Sequence, residues 1–319
     1  MPKPIQPDNI KKIVLFRTDR IGEVLLSTVC IGPLKRHFPK SSITFVVSDY
    51  AQAIISGRKD ISRIFLFNTI KKGSIFHALK RLIPYLKSEK FDLAIVMNPH
   101  KTLHLACLMA GIKYRLGYNQ KYGFCLTHKI ENKKIEGKKH ELEYNMDLLR
   151  SIGVEADIEP PYIVTSANDD DYADKIIRQY GLNNAKSIVA IHAGSSNPEK
   201  KWPVSNFASL ANKIKSNFGC NVVFLGAPED KGAGECDLAG LFNIKQLSAF
   251  LKKCSLFIGN DAGPMHVAAA ANIPVIALFG GVSFPKRWRP WGEGNVLLYK
   301  DDINKISVDE VFEAVKQKI

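Results

Sequence analysis

Short apolar runs recur along the chain and alternate with helix-length stretches of mixed polarity. KIVLF at 12–16, ITFVVS at 43–48, IFLF at 64–67 and LAIVM at 93–97 are apolar on both of their alternating faces. That is the pattern of strands buried on both sides of a parallel sheet. Between the first two lies EVLLSTVCIGPLKRHF (23–38), with helical periodicity. GSIFHALKRLIPYLKSEK (73–90) reads as an amphipathic helix. RLGY at 115–118 ends a further short strand. Residues 119–144 are polar and lysine-rich, predicting an exposed loop that leads into the helix ELEYNMDLLRSIG.

Near residue 160 the texture changes at Pro160-Pro161 and the acidic run Asp169-Asp170-Asp171. Alternation then restarts: SIVAIHAG (187–194), the helix VSNFASLANKIKSNFG, NVVFLGAP (221–228), the helix NIKQLSAFLKKC, SLFIGNDAG (255–263), the helix PMHVAAAAN and PVIALFGG (274–281). The chain therefore reads as two α/β units, each a doubly wound parallel sheet, divided into 1–164 and 165–319, with a last helix able to pack back on the first unit. Ligands of open parallel sheets bind beyond the carboxyl ends of the strands, which directs attention to the loops after residues 16, 97, 191, 225 and 259.

Composition narrows the classes. The 319 residues are 45% hydrophobic, enough for real cores. No apolar run approaches the roughly 18–20 residues of a membrane span. The start, MPKPIQPDNIKK, lacks the apolar core of a signal peptide, so a cytoplasmic location is expected. Six scattered cysteines form no CxxC pair, which predicts free, packed thiols in a reducing compartment. The net charge of +14 is lopsided: residues 1–160 hold 27 Lys and Arg against 15 Asp and Glu, and the remainder 18 against 16. A basic first half suits a polyanionic partner or surface. Nucleic acid is disfavoured, because few aromatics interleave with the basic residues to stack on bases.

Three strand-to-helix loops carry candidate chemistry. In the first, Arg17-Thr18-Asp19-Arg20-Ile21-Gly22-Glu23, Gly22 permits a tight turn and Arg17 and Arg20 offer charge to an anion. Glu23 or Asp19 could act as a carboxylate base. The structural alternative is that Glu23 complements the helix dipole while Asp19 pairs an arginine. No GxGxxG is present, so a dinucleotide fingerprint is unsupported. The second loop runs from His192 through Gly194, Ser195 and Ser196 to Lys200, Lys201 and Trp202. Small residues let backbone N–H groups approach a phosphate and lysine adds a point charge, whereas the plain reading is a polar loop capped by Trp202. The third, Gly259 to Val267, has Gly263 and Pro264 opening a helix whose free N–H groups could hold a diphosphate. His266 lies in its first turn. Asp169-Asp170-Asp171 precedes a helix and reads as capping rather than as a metal motif. His100 and His104 lack an HExxH frame, so no metal is assigned there. Residues 71–87 are basic and amphipathic. Core packing is the first reading and a membrane-surface face the second.

Together these segments resemble glycosyltransferase family 9, the ADP-heptose:lipopolysaccharide heptosyltransferases, over nearly the whole chain. RTDRIGEVLLSTVCIGPLKRHFP is similar to the family's opening motif, KKWPVSNFASLANKI to its Lys-x-Trp-Pro segment, VVFLGAPED to its nucleotide-side strand and acidic turn, and NDAGPMHVAAAANIPVIALFG to its Asp-Thr-Gly-x-x-His pattern. The resemblance implies a GT-B architecture, two Rossmann-like domains facing a central cleft. The acceptor, an anionic lipopolysaccharide core, would lie on the N-terminal domain, with Arg17, Arg20 and Gly22. ADP-heptose would lie on the C-terminal one, with Gly194, Ser195, Ser196, Lys200, Glu229, Asp261, Ala262, Gly263 and His266. It implies inverting transfer with no metal and no cofactor, the ADP-sugar being a substrate. Glu23 is placed as the base, Asp19 as its fallback, and Lys200 as stabiliser of the leaving diphosphate. A peripheral position on the cytoplasmic face of the inner membrane fits such an acceptor. The chain departs from the motif at Glu23 (usually Asp), Ala262 (usually Thr) and Val29 (usually Pro). The alternative functions are a non-catalytic lipopolysaccharide- or nucleotide-binding homologue, or a transferase using another nucleotide sugar.

Overall fold

The computed structural model describes residues 5–68 and 75–319. The chain divides into two compact units, Met1–Pro161 and Tyr162–Ile319. In the first, six short strands form one parallel sheet: β1 (Lys12–Phe16), β2 (Ser42–Val47), β3 (Arg63–Leu66), β4 (Leu93–Val96), β5 (Tyr114–Tyr118) and β6 (His128–Ile130). Their spatial order is β3-β2-β1-β4-β5-β6. Chain progress reverses direction across the sheet between β1 and β4, which pair in parallel from Ile13↔Leu93 to Phe16↔Val96. The helices are α1 (Ile21–Ser27), α2 (Ile31–His37), α3 (Gln52–Ile55), α4 (Ile75–Glu89), α5 (Lys101–Met109) and α6 (Glu141–Arg150). Val14, Phe16, Ala94 and Val96 meet Leu82 and Leu86 of α4 and Leu103 and Ala106 of α5 in one core.

The second unit repeats the scheme with β7 (Ile188–His192), β8 (Asn221–Leu225), β9 (Leu256–Asn260), β10 (Val275–Phe279) and β11 (Val296–Tyr299), ordered β11-β10-β9-β7-β8. Here the reversal lies between β7 and β9, in register from Val189↔Leu256 to His192↔Gly259. Its helices are α7 (Ala167–Gln179), α8 (Val204–Phe218), α9 (Ile244–Leu251), α10 (Gly263–Ala270), α11 (Pro285–Trp288) and α12 (Val308–Lys316). Helix α12 packs on α8 and β10 within this unit.

Two sequence expectations need correction. Residues 23–38 do not form one helix: α1 gives way to a 3₁₀ turn at Thr28–Cys30 before α2 begins. Pro33 is the cause, since its ring clashes with the carbonyl four residues back and it has no N–H to donate. Residues 119–144 are not a simple exposed loop. They contain β6, and Lys134 is buried, with its amine bound to the fully buried Glu141 at 2.6 Å. A lysine can leave water when a carboxylate compensates its charge, and the local sequence does not show that partner. The acidic run behaves as capping predicts: Ser166 caps α7, and Asp169 returns a bond to the Ser166 N–H at 2.8 Å. In the basic amphipathic stretch, residues 71–74 lie outside the described residues. Of the rest, Leu82 and Leu86 are buried, while Ile75 and Phe76 are exposed.

Candidate active site

Both sheets carry their candidate residues where the strand order reverses, the position at which a crevice opens between neighbouring strand ends. In the first unit β1 runs into the loop Arg17–Arg20 and then α1. Arg17 is only 2% exposed. Its Nε donates to Asp19 Oδ1 at 2.7 Å, and its Nη1 donates to Glu141 Oε1 at 3.2 Å and to the Met97 carbonyl at 3.4 Å. The guanidinium thus bridges the ends of β1 and β4. Burial works against its charge, but Asp19, Glu141 and Glu23 outweigh that and raise its pKa. The loop is also held by Tyr50, whose hydroxyl donates to the Asp19 carbonyl.

Glu23 lies in the first turn of α1, half-buried. Burial raises its pKa, and the Asp19 charge adds to the rise; Arg17 opposes it. A carboxylate so placed is a stronger proton acceptor than an exposed one. Asp19 is engaged by Arg17, as the structural alternative expected. Gly22 is buried and Arg20 exposed.

In the second unit Asp261 follows the last residue of β9, and its backbone N–H continues the ladder to Leu278 at 3.1 Å. Its Oδ2 accepts from Lys200 Nζ at 2.5 Å and from Ser283 Oγ at 2.8 Å. Asn260, fully buried, ties the neighbouring loop down: its Nδ2 donates to the Ala193 carbonyl at 2.9 Å, and its Oδ1 accepts from the Trp202 N–H at 3.1 Å. Trp202 is fully buried and donates through Nε1 to the Ile306 carbonyl at 2.8 Å. Removing such a ring costs about 3–5 kcal/mol, so it is a firm anchor two residues from Lys200. Helix α10 opens at Gly263 with no side-chain cap on Ala262; Pro264 has no N–H and the Met265 N–H donates to the Ala262 carbonyl at 3.2 Å, so the Gly263 N–H is the one directed to a ligand. His266 is buried in its first turn, its ring 6.3 Å from that of Trp288.

At the end of β7, burial pushes the His192 pKa down to about 4, with Asp230 opposing. At neutral pH His192 is therefore uncharged, and its 4.0 Å approach to Asp230 is not an ion pair. Asp230 lies so near Gly194 and Gly226 that a Cβ at either would come within 2.6 Å of its side chain. At Gly226 the atom met is the Asp230 Cβ, which cannot swing away, so that position needs glycine; at Gly194 the atoms met are those of the carboxylate, which would have to turn aside.

The structure thus joins Arg17, Asp19 and Glu23 in one cluster, and Lys200 with Asp261 in another, beside Gly194 through Asn260. Ser195 is half-buried, its Oγ accepting from the Asn197 N–H at 3.3 Å, while Ser196 is exposed. Glu229 is exposed on its turn, and the neighbouring Asp230 is the carboxylate that faces the glycines. Sequence reasoning missed Asp230, Ser283, Asn260, Glu141 and Lys134. Asn260 carried a signal, as a buried-strand residue that must find polar partners, and Asp230 lay in the acidic turn of VVFLGAPED beside the Glu229 chosen instead.

Two parallel α/β units with polar clusters at both strand-order reversals form a double Rossmann-like fold. Residues 79–312 match the family model of glycosyltransferase family 9 (heptosyltransferase). The chain is 25% identical over 321 residues to the lipopolysaccharide core heptosyltransferase OpsX of Haemophilus influenzae, covering 95% of this chain and 88% of the relative. Among solved structures, a family 9 glycosyl transferase from Veillonella parvula superimposes with a TM-score of 0.86 at 22% identity, over 98% of both chains. The heptosyltransferase WaaC of E. coli, solved with ADP-2-deoxy-2-fluoro heptose, gives 0.72 at 15% identity, over 97% of this chain and all of that one. The protein belongs to glycosyltransferase family 9 and is a glycosyltransferase of the GT-B fold class. Among the described residues no helix is long and apolar enough to cross a membrane.

Proposed function

We propose that the protein is an inverting heptosyltransferase that moves heptose from ADP-heptose to the anionic inner core of lipopolysaccharide, with the donor on the second unit and the acceptor on the first. The observation that carries this reading is the Lys200–Asp261–Ser283 cluster beside the uncapped start of α10. It sets a cation beside the Gly263 N–H and the positive end of α10 where the strand order reverses, an arrangement that suits a diphosphate leaving group. Likeness to proteins that carry heptosyltransferase names, one of them solved with an ADP-heptose analogue, supports the choice of donor.

In this mechanism Glu23 takes the proton of an acceptor hydroxyl, and the oxygen attacks the anomeric carbon opposite the diphosphate. The C–O bond to ADP breaks, and the growing charge on ADP is met by Lys200, the Ser195 hydroxyl and the Gly263 N–H. Because these groups supply the positive charge, the step needs no metal ion. Lys200 is bound to Asp261, so the developing diphosphate charge competes with that carboxylate for the ammonium. The basic residues of the first unit suit a phosphorylated acceptor presented at the cytoplasmic face of an anionic membrane, with the enzyme peripheral to it. The test is transfer by the purified protein from ADP-heptose to core acceptors, with the anomeric configuration of the product read by NMR. Inversion supports the reading. Donor binding without turnover favours the non-catalytic alternative, and transfer only from another nucleotide sugar reassigns the donor.

A further inference from the structure

The ion cluster beneath the first loop has no direct part in the transfer chemistry. Glu141 is fully buried at the start of α6, and its Oε1 serves two cations, Arg17 at 3.2 Å and Lys134 at 2.6 Å. Lys134 also donates to Asn145 Oδ1 at 3.1 Å, and the Asn145 amide donates to the Leu26 carbonyl of α1 at 3.2 Å. A continuous polar chain therefore runs from α1 through Asn145, Lys134 and Glu141 to Arg17 and Asp19. Burying these charges is expensive, and well-packed apolar residues commonly serve stability as well or better. The cluster is best explained by the group it serves.

We infer that Glu141 and Lys134 are positioning residues: they fix the Arg17 guanidinium at the ends of β1 and β4, and so hold the charge that the first loop presents beside Glu23. This rests on the proposed role of Glu23 as the base. The charged and titratable groups around Glu23 are Asp19 and Arg17 from the loop and Glu141 from α6, with the Tyr50 phenol and Arg20 at the exposed edge. Arg17 favours the charged carboxylate, whereas Asp19 and Glu141 oppose it. Lys134 balances Glu141, so that the Arg17 charge remains effective at Glu23.

The signs follow. Glu141→Gln removes a negative charge, so Glu23 ionises more readily and the acid limb of the transfer rate moves to lower pH. Lys134→Met leaves Glu141 less compensated, and the limb moves up. The double variant returns towards the wild-type profile, and Lys134→Arg, which keeps the charge, leaves it in place. A merely structural pair would lower rate or stability in both single variants without moving the limb in opposite directions.

The experiment measures pH–rate profiles for these variants together with the ¹³C titration of the Glu23 carboxyl carbon, assigned by its loss in Glu23→Gln. Opposite shifts in both readouts are expected. Shifts of one sign, or none, in the carboxyl titration overturn the inference. Opposite shifts in the titration without matching shifts in rate uphold it and refute Glu23 as the base instead. Should Glu141→Gln fail to fold, Lys134→Met against Lys134→Arg decides: an upward shift in the first alone supports the inference, and equal profiles overturn it.

Discussion

Replacing Lys200 separates binding the donor from stabilising its departure. The ammonium lies 2.5 Å from Asp261 Oδ2, an oxygen that Ser283 also engages. When ADP-heptose binds, Lys200 exchanges one anionic partner for another, so its net gain in the ground state is small. As the bond to ADP breaks, the diphosphate gains charge and the same contact strengthens. A hydrogen bond to a charged group contributes about 1.5–3 kcal/mol, so Lys200→Ala is expected to lower kcat by about 10–150-fold. The Michaelis constant for the donor should rise by less than about fivefold. Part of that rise comes from leaving the Asp261 charge uncompensated near the diphosphate. The double variant Lys200→Ala/Asp261→Asn removes this component: ADP affinity by calorimetry should return towards wild type while kcat stays low. Steady-state kinetics with saturating acceptor provide the comparison. A change confined to the Michaelis constant would refute the transition-state role and leave Lys200 a binding residue. An unchanged enzyme would pass the role to the exposed Lys201.

Gly263→Val should crowd the start of α10 and raise the ADP dissociation constant about tenfold, a cost of about 1.4 kcal/mol; unchanged affinity by calorimetry would mean the diphosphate lies elsewhere. His192 has a folded pKa of about 4, below its unfolded value of about 6.5. Its contribution to stability is complete above the unfolded pKa and is lost as pH falls towards the folded one, about 2 kcal/mol between pH 7 and pH 5. Denaturant titrations should show this loss shrinking in His192→Gln, and an equal loss in both would contradict a buried neutral imidazole. Binding to anionic liposomes should weaken between low and physiological salt as screening shortens the reach of the basic residues. Salt-independent binding would point to apolar contact instead, for which the exposed Phe76 is the first candidate to replace.

The strands were legible because burial on both faces leaves a continuous apolar run: β1, β4, β7, β9 and β10 each lie within a run visible in the sequence. β11 escaped notice, being an edge strand whose residues are only partly buried. β6, with just His128, Lys129 and Ile130, is too short and polar to carry a pattern. The loops bearing Glu23, Lys200 and Asp261 were legible because each follows a readable strand and opens a helix. The partners that complete them were not. Glu141 lies 124 positions from Arg17, and Ser283 lies 22 from Asp261, and no local periodicity encodes such pairings. Lys134 is the sharpest case. Its neighbourhood reads as a solvated, charged loop, and only the carboxylate arriving with α6 makes its burial tolerable.

The most direct test of the account is transfer by Glu23→Gln. The substitution keeps the side chain's size and much of its hydrogen bonding but removes the proton acceptor. A general base contributes about 10²–10⁴-fold, so the rate with ADP-heptose and a core acceptor should fall by that order. ADP affinity, assigned to the second unit, should stay unchanged. Glu23→Asp should retain activity, and Asp19→Asn, which loosens Arg17 without removing the base, should lose less. Full turnover in Glu23→Gln with activity lost in Asp19→Asn would contradict the account and move the base to Asp19.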